Sequence, residues 1–403
     1  MSASKPSSQH TEPEMQDRTS QSGLQHRLSL EIWETILFHL QDEDLENVAA
    51  ASSYLSVAAV RPRCYRLRWV NMNHFTQFQQ DTADDSLCWV TVSVTLGRGR
   101  YRDGINTPKL DFSVVLPTIV SFSNLTTLKA FAIWFPLHDV LSIVHQLPKL
   151  EHLGLYAIRR TWDARREATV PSRPYRTALK TIEFTNVPGH ALKEDEGFHD
   201  LVSLLCFSAI RHFRTTMGTF IDILAFALDD DIRTFAVHFA STLEVLDVRT
   251  YLDEPVDPSC LDCDDYSDAI THIIQNCAPS LRRFWIWSTS PCPTPEATIH
   301  LPSAVDVIGP QDLLLGFTFG ERISCIWVPS PSPSSRSPWK VSLGIPDCAE
   351  TATLTKLSLS RWAASDMPVE KIFASYPELS ELSIEPSSPM SKVSHDKTIM
   401  DFR

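Results

Sequence analysis

Residues 28–69 read LSLEIWETILFHLQDEDLENVAAASSYLSVAAVRPRCYRLRW, and this stretch decides how the N-terminal part of the chain folds. Its first third carries large apolar residues at the spacing of one helix face. The period predicts an amphipathic helix, with Ser29 as its N-cap and Glu31 in the first turn, where a negative charge suits the helix dipole. The apolar positions are Leu30, Ile32, Trp33, Ile36, Leu37 and Leu40.

Two more helices are expected behind the first. Asp42 or Asp44 caps a second helix, and a third runs from about Leu55 to Trp69 with a kink or restart at Pro62. Three short helices cannot bury both sides of so apolar a first helix. The excess face is therefore expected to dock another protein, and a plain amphipathic helical cap is the alternative.

The same residues resemble the F-box, a three-helix module that joins substrate receptors to ubiquitin ligases of the SCF type. The family pattern opens Leu-Pro-x-Glu-Ile/Leu and continues to Ile-Leu-x-x-Leu and Asp-Leu. Ser29 stands where the family usually has proline, and residues 61–66 (RPRCYR) resemble the ending common in fungal, basidiomycete-like F-box proteins. The matching positions are Leu28, Glu31, Ile32, Ile36, Leu37, Leu40, Asp44, Leu45, Ser52, Tyr65 and Arg66.

This resemblance implies that residues 26–70 form an F-box that docks to the Skp-type adaptor and cullin of an SCF complex. The rest of the chain would then hold the protein to be ubiquitinated. The residues expected to contact the adaptor are Leu28, Leu30, Ile32, Trp33, Ile36, Leu37, Leu40 and Leu45.

A different period follows the helical stretch. The spacing L-x-x-L-x-x-L-x-L begins at Leu125 and returns at Leu147, a displacement of 22 residues. One strand and one helix per repeat, at about 20–45 residues, is typical of leucine-rich repeats. The shorter core of the pattern, apolar-x-x-apolar-x-apolar, begins again, with more drift, at Leu179, Ile210, Leu243, Leu281, Ile323, Leu354 and Leu379.

The pattern resembles the irregular repeats behind the F-box in many fungal proteins. The expected fold class is therefore α/β: a small three-helix F-box followed by an irregular leucine-rich-repeat-like α/β solenoid over residues 71–386. A doubly wound sheet is the alternative, because it also alternates strands and helices. Residues 1–25 and 387–403 are expected to be a disordered tail and a polar tail, and residues 288–310 and 329–338 to be Pro/Ser-rich loops.

The composition of the chain limits the classes of function that it could have. The chain has 403 residues, a formal net charge of -13 and nine scattered cysteines. The acidic balance argues against a general nucleic-acid binder, and the odd cysteine count argues for a reducing compartment. No apolar run approaches the length of a membrane span. We expect a cytoplasmic or nuclear protein that binds neither nucleic acid nor membrane.

No motif for chemistry is visible. Cys260 and Cys263 form a CxxC without the second pair of ligands that zinc requires. The chain has no G-x-S-x-G, H-E-x-x-H or Walker lysine, and glycine is scarce. Six arginines between residues 159 and 176 suggest a solvated loop or, as the alternative, a site for an anionic partner. We therefore expect a non-catalytic protein that needs no cofactor and no metal.

Strand alternation indicates where a partner would bind. If Leu153 and Leu155 face the core, the residues between and beside them face the other way. Exposed tryptophan and arginine are the side chains that carry binding energy at interfaces, although long insertions could cover the tryptophans instead. The expected partner-binding residues are Trp134, Tyr156, Arg249, Arg283, Trp285, Trp287 and Trp327.

We therefore expect a substrate-recognition subunit of an SCF-type ubiquitin ligase. The alternative is a non-catalytic repeat scaffold that acts outside ubiquitination.

Overall fold

A computed structural model divides the chain into two compact units, Met1–Leu67 and Arg68–Arg403. The residues that it describes are 28–81, 90–97, 110–135, 140–156, 159–160, 177–185, 196–230, 237–249, 263–286, 298–309, 311–314, 316–320, 322–328, 354–360, 372–374, 376–385 and 399–401.

Within its described residues, 28–67, the first unit contains three helices, α1 (Leu30–Leu37), α2 (Asp42–Ala51) and α3 (Ser53–Tyr65). The Ser52 hydroxyl caps α3 by accepting the backbone N–H of Leu55 at 3.2 Å. Four buried side chains from the three helices form the centre of the unit: Leu37, Leu45, Ala58 and Ala59.

Several helix boundaries differ from those expected. Ser29 occupies the N-cap position of α1, but its hydroxyl makes no capping hydrogen bond. Asp42 is the first residue of α2 rather than its cap, and α3 passes through Pro62 without a restart. Residues 66–69 are a strand rather than the end of α3, because Leu67 and Trp69 alternate as buried residues with two exposed arginines.

The second unit is built on strands, and the boundary between the units falls within β1. The strands are β1 (Arg66–Trp69), β2 (Ser93–Gly97), β3 (Thr127–Phe131), β4 (Trp134–Phe135), β5 (His152–Tyr156), β6 (Arg159–Arg160), β7 (Thr181–Thr185), β8 (His212–Thr216), β9 (Val245–Arg249), β10 (Arg283–Ile286), β11 (Ile299–Leu301), β12 (Asp306–Ile308), β13 (Phe317–Phe319), β14 (Cys325–Val328), β15 (Lys356–Ser360), β16 (Glu381–Glu385) and β17 (Ile399–Asp401).

Helices separate many of these strands. They are α4 (Met72–Asp81), α5 (Phe112–Val120), α6 (Val140–Gln146), α7 (Glu196–Phe207), α8 (Met217–Asp230), α9 (Cys263–Cys277) and α10 (Gln311–Leu314), with short helical stretches at 237–240 and 372–374. The α/β class is confirmed.

One large sheet contains thirteen of the strands in chain order: β1-β2-β3-β5-β7-β8-β9-β10-β12-β14-β15-β16-β17. Neighbours from β2 to β16 pair in parallel, and β17 is antiparallel to β16. A doubly wound sheet reverses its strand order at a switch point, and the order of these described strands does not reverse.

The register aligns one buried residue from each of the eleven strands of this sheet from β2 to β16. The aligned residues are Val94, Leu128, Leu153, Ile182, Phe213, Leu246, Phe284, Val307, Ile326, Leu357 and Leu382, and we call them the core column.

The register corrects the 22-residue displacement read from the sequence. Leu128 pairs with Leu153, which is 25 positions further on. Phe131 is three residues after Leu128, so the two-residue period of a strand directs it to the opposite face. There its ring stacks on Tyr156, with ring centres 4.3 Å apart, instead of joining the core.

A repeated hydrogen-bond pattern marks the start of each strand of the large sheet from β3 to β16. The Val92 carbonyl accepts the N–H groups of both Thr126 and Thr127, at 2.9 and 3.1 Å. The same two-donor arrangement recurs at the carbonyls of Thr126, Glu151, Lys180, Arg211, Glu244, Arg282, Val305, Ser324 and Thr355. The repeat is therefore present in the backbone even where the spacing along the sequence drifts.

Candidate functional site

Helix α1 exposes two large apolar side chains one turn apart. Ile32 is 47% exposed and Ile36 is 42% exposed, whereas Leu37 and Leu45 lie in the core of the unit at 1% and 4%. Any contact with a partner would therefore be made by the two isoleucines rather than by the two leucines.

The other expected adaptor residues take intermediate positions. Leu30, Trp33 and Leu40 are partly buried against the core of the unit. Leu28 is partly buried, and its carbonyl accepts the Tyr54 hydroxyl at 3.1 Å.

In the large sheet, the residues between the core positions form a second face, which we call the charged face. One register column of this face changes character along the chain, from charged residues to apolar residues and then to serine. The column is Lys129, Gly154, Glu183, Arg214, Asp247, Trp285, Ile308, Trp327 and Ser358.

Glu183 is the first carboxylate of this column, and the two neighbouring strands, β5 and β8, supply its partners. His152 Nε2 lies 3.2 Å from its Oε1, and Arg214 lies 3.7 Å from its Oε2. The Tyr156 hydroxyl donates a hydrogen bond to the same Oε2. The His152 nitrogen is not aligned for a hydrogen bond, so this contact is a close polar contact.

The environment of Glu183 favours its ionised form. Burial by itself would raise the pKa of the carboxyl, but the hydrogen bond from Tyr156, the adjacent His152 side chain and the charge of Lys129 outweigh it. The pKa is lowered to about 2. Glu183 is therefore a fixed negative charge in the neutral pH range.

Asp247 is the second carboxylate, and its side chain is only 4% exposed. Arg214 Nε donates to its Oδ2 at 2.8 Å from the neighbouring strand, and Arg249 Nε lies 2.8 Å from its Oδ1. Burial would lower the pKa of Arg214, but Asp247 and Glu183 raise it. The buried carboxylate is thus neutralised by two guanidinium groups.

Gly154 makes room for Tyr156 to reach Glu183. A Cβ atom on Gly154 would lie 2.6 Å from Tyr156 Cε2 and 2.8 Å from the hydroxyl oxygen, inside van der Waals contact. The expected partner-binding residue Tyr156 therefore belongs to an internal hydrogen-bonded network on this face.

Trp285 follows Asp247 in the same column. The guanidinium carbons of Arg249 and Arg283 each lie 5.9 Å from the centre of its ring, within the range of a cation–π interaction. Within the described part of the chain, its buried Nε1 has no hydrogen-bond acceptor. The structure thus brings together three of the expected partner-binding residues.

Trp327 is further away than the sequence pattern predicts. Strand β12 lies between β10 and β14, so Ile308 separates the two tryptophans in the column. The spacing is two strands, about 10 Å, rather than one strand. The sequence pattern missed β12 because it treated residues 288–310 as a loop.

Comparisons with known proteins identify no family. No protein-family model matches the chain, and no curated protein matches it.

Some expected features lie outside the described residues. Trp287 and Cys260 lie outside them, as do residues 161–176 of the arginine-rich stretch and the side chains of Trp134 and Cys263. Among the residues that are described, no cluster of histidine, cysteine and carboxylate side chains could hold a metal ion. No described helix has the length and apolar character of a membrane span.

Proposed function

We propose that this protein is a substrate-recognition subunit of an SCF-type ubiquitin ligase. The helical unit would bind the Skp-type adaptor as an F-box does, and the charged face of the sheet would bind the target protein. The observation that carries the proposal is the exposed pair Ile32 and Ile36 on α1.

The isoleucine pair is exposed although the unit has a formed core. Residues four apart on a helix lie on the same face, so the two side chains form one apolar strip. Full burial of an isoleucine side chain is worth about 1.5–3 kcal/mol, and Ile32 and Ile36, at 47% and 42% exposed, each forgo roughly half of it. Leu37 and Leu45 already close the core, and the strip is therefore available to a partner.

The second unit is suited to hold a target. We propose that it is a leucine-rich-repeat-like solenoid, because parallel strands follow one another in chain order and repeat the same carbonyl arrangement. Repeats of this kind present a long row of side chains on one sheet face. In this protein the row offers charged and aromatic residues, which are common in binding sites.

The mechanism would be proximity rather than local chemistry. A receptor that holds adaptor and target together raises the effective concentration of the target at the ubiquitin-charged enzyme. The site of action would be the cytoplasm or the nucleus, where SCF complexes and their targets meet.

Affinity purification tests the proposal. The tagged full-length chain should recover the Skp-type adaptor and the cullin, and an Ile32→Asp, Ile36→Asp variant should recover at least tenfold less. Val114→Asp is the matched control, because Val114 is 49% exposed on α5 of the second unit. Failure of the wild-type chain to recover an adaptor would overturn the proposal. Equal recovery of the adaptor by all three chains would show that α1 is not the adaptor-binding surface.

A further inference from the structure

We infer that the charged face binds an acidic peptide segment, with a carboxylate at Arg283 and an apolar side chain on Trp285, Ile308 and Trp327. This inference rests on the proposed role of the face as the target site. It does not depend on adaptor binding by the helical unit.

The apolar part of the site follows from the register. After Asp247 the column carries Trp285, Ile308 and Trp327 on three successive strands. Ile308 is buried and the two tryptophans are partly exposed. The two tryptophans lie on either side of the buried Ile308 in the column, and this apolar arrangement suits one apolar side chain of a partner.

The ionic part of the site follows from which charged side chains have no ion-pair partner among the described residues. Glu183 and Asp247 are both engaged by partners within this chain, and Arg249 already contacts Asp247. In the described part of the chain, Arg283 contacts the Trp285 ring but no carboxylate. Its register neighbour Asp306, on the adjacent strand, forms no ion pair with it. Arg283 is therefore the guanidinium group at Trp285 that no described carboxylate binds.

The number of guanidinium groups left for a partner favours a carboxylate over a phosphate. Arg283 is the one at Trp285 that no described carboxylate binds, and its single charge matches that of an aspartate or glutamate. A doubly charged phosphate would have to draw Arg249 away from Asp247, whose side chain is only 4% exposed. Leaving a buried carboxylate short of a donor is costly.

The spacing of the two parts suggests how a peptide would lie. Arg283 and Trp285 are two residues apart on β10, a distance of about 7 Å along a strand. In an extended peptide, side chains two positions apart also point the same way at about that distance. The recognised feature is thus an acidic residue and an apolar residue separated by one position.

Synthetic peptides test this feature on the isolated full-length chain. The probe is a fluorescein-labelled dodecapeptide that repeats Glu-Ser-Leu-Ser, and its controls replace every Glu by Gln, every Leu by Ser, or every Glu by phosphoserine. Fluorescence polarisation should show binding of the probe at least tenfold tighter than that of the Gln and Ser controls. The phosphoserine peptide should bind no tighter than the probe.

A matched pair of variants locates the site. Arg283→Gln should weaken probe binding about tenfold, while Arg282→Gln, the same charge change one residue before β10, should stay within twofold of wild type. Both variants should melt at the wild-type temperature. Equal affinity for the Glu and Gln peptides, equal losses in the two variants, or tenfold preference for phosphoserine would each overturn the inference, whatever adaptor binding shows.

Discussion

Arg214 Nε lies 2.8 Å from Asp247 Oδ2, across two neighbouring strands of the large sheet. The two residues are register partners on β8 and β9, and both lie on the charged face. Arg249 binds the same carboxylate from two residues further along β9. Asp247 therefore holds the guanidinium groups of Arg214 and Arg249 in place on the charged face.

Asp247→Ala should destabilise the second unit. The substitution leaves Arg214 and Arg249 without their main acceptor, and hydrogen bonds to charged groups are worth about 1.5–3 kcal/mol each. Both guanidinium groups are more than one-third exposed, so water recovers part of the loss. We expect the free energy of unfolding in urea to fall by about 1–3 kcal/mol.

Glu381→Ala is the control for that measurement. Glu381 pairs with Lys356 at 2.8 Å, but both side chains are exposed, and exposed pairs contribute about 0–1 kcal/mol. An Asp247 variant no less stable than the Glu381 variant would show that the buried carboxylate does not organise the face.

The stability of the protein should depend on Glu183 in acid. Its folded-state pKa of about 2 lies below the ordinary value of 4.5. Its ionised form therefore stabilises the fold above pH 4.5, and this contribution is lost as the pH falls through about 2. We expect wild type to exceed Glu183→Gln by about 2–3 kcal/mol at pH 7. Chemical denaturation from pH 7 to pH 2 should show the difference shrinking below pH 4.5; a constant difference would contradict the assignment.

Gly154→Ala should displace the Tyr156 ring. The added Cβ would lie 2.6 Å from Tyr156 Cε2, so the hydrogen bond from Tyr156 to Glu183 is expected to break. Tyr156→Phe removes the same bond directly. The two substitutions should each cost about 1–2 kcal/mol, and the double variant should cost clearly less than their sum. Full additivity would mean that Gly154 does not position Tyr156.

Alanine substitutions in the core column should lower the free energy of unfolding by similar amounts on strands that lie far apart in the sheet. Leu153 and Leu357 are 0% and 2% exposed, and replacing either by alanine should cost about 2–5 kcal/mol. Val237→Ala is the control, because Val237 is 51% exposed. Thermal melting compares the three variants, and wild-type melting of both leucine variants would argue against a continuous core.

Sequence alone was sufficient for the core, because burial and strand alternation are local. Leu128, Leu153 and Leu382 are buried as expected, and the face opposite Leu153 is the one that carries Tyr156. The α/β class followed from the same alternation. Strand β12 was missed because it is three residues long and follows a proline-rich stretch that predicts a loop.

The register between strands could not be predicted from the sequence, because it depends on strands that are far apart along the chain. Glu183 was not among the expected site residues, since its partners His152 and Arg214 are about 31 residues away on either side. A signal was present nonetheless: Glu183, Arg214 and Asp247 each lie in the middle of a strand whose flanking residues are buried. Charges of alternating sign at that position predict cross-strand pairs once the strands are aligned.

The central claim is that α1 carries an adaptor-binding surface, and direct binding tests it most simply. Isothermal titration calorimetry should measure the affinity of a purified Skp-type adaptor for the wild-type chain, for Ile36→Asp and for Val114→Asp. We predict submicromolar binding by the wild type and by Val114→Asp, with at least a hundredfold loss for Ile36→Asp at unchanged melting temperature. No heat of binding with the wild-type chain, or equal affinity for all three proteins, would contradict the account.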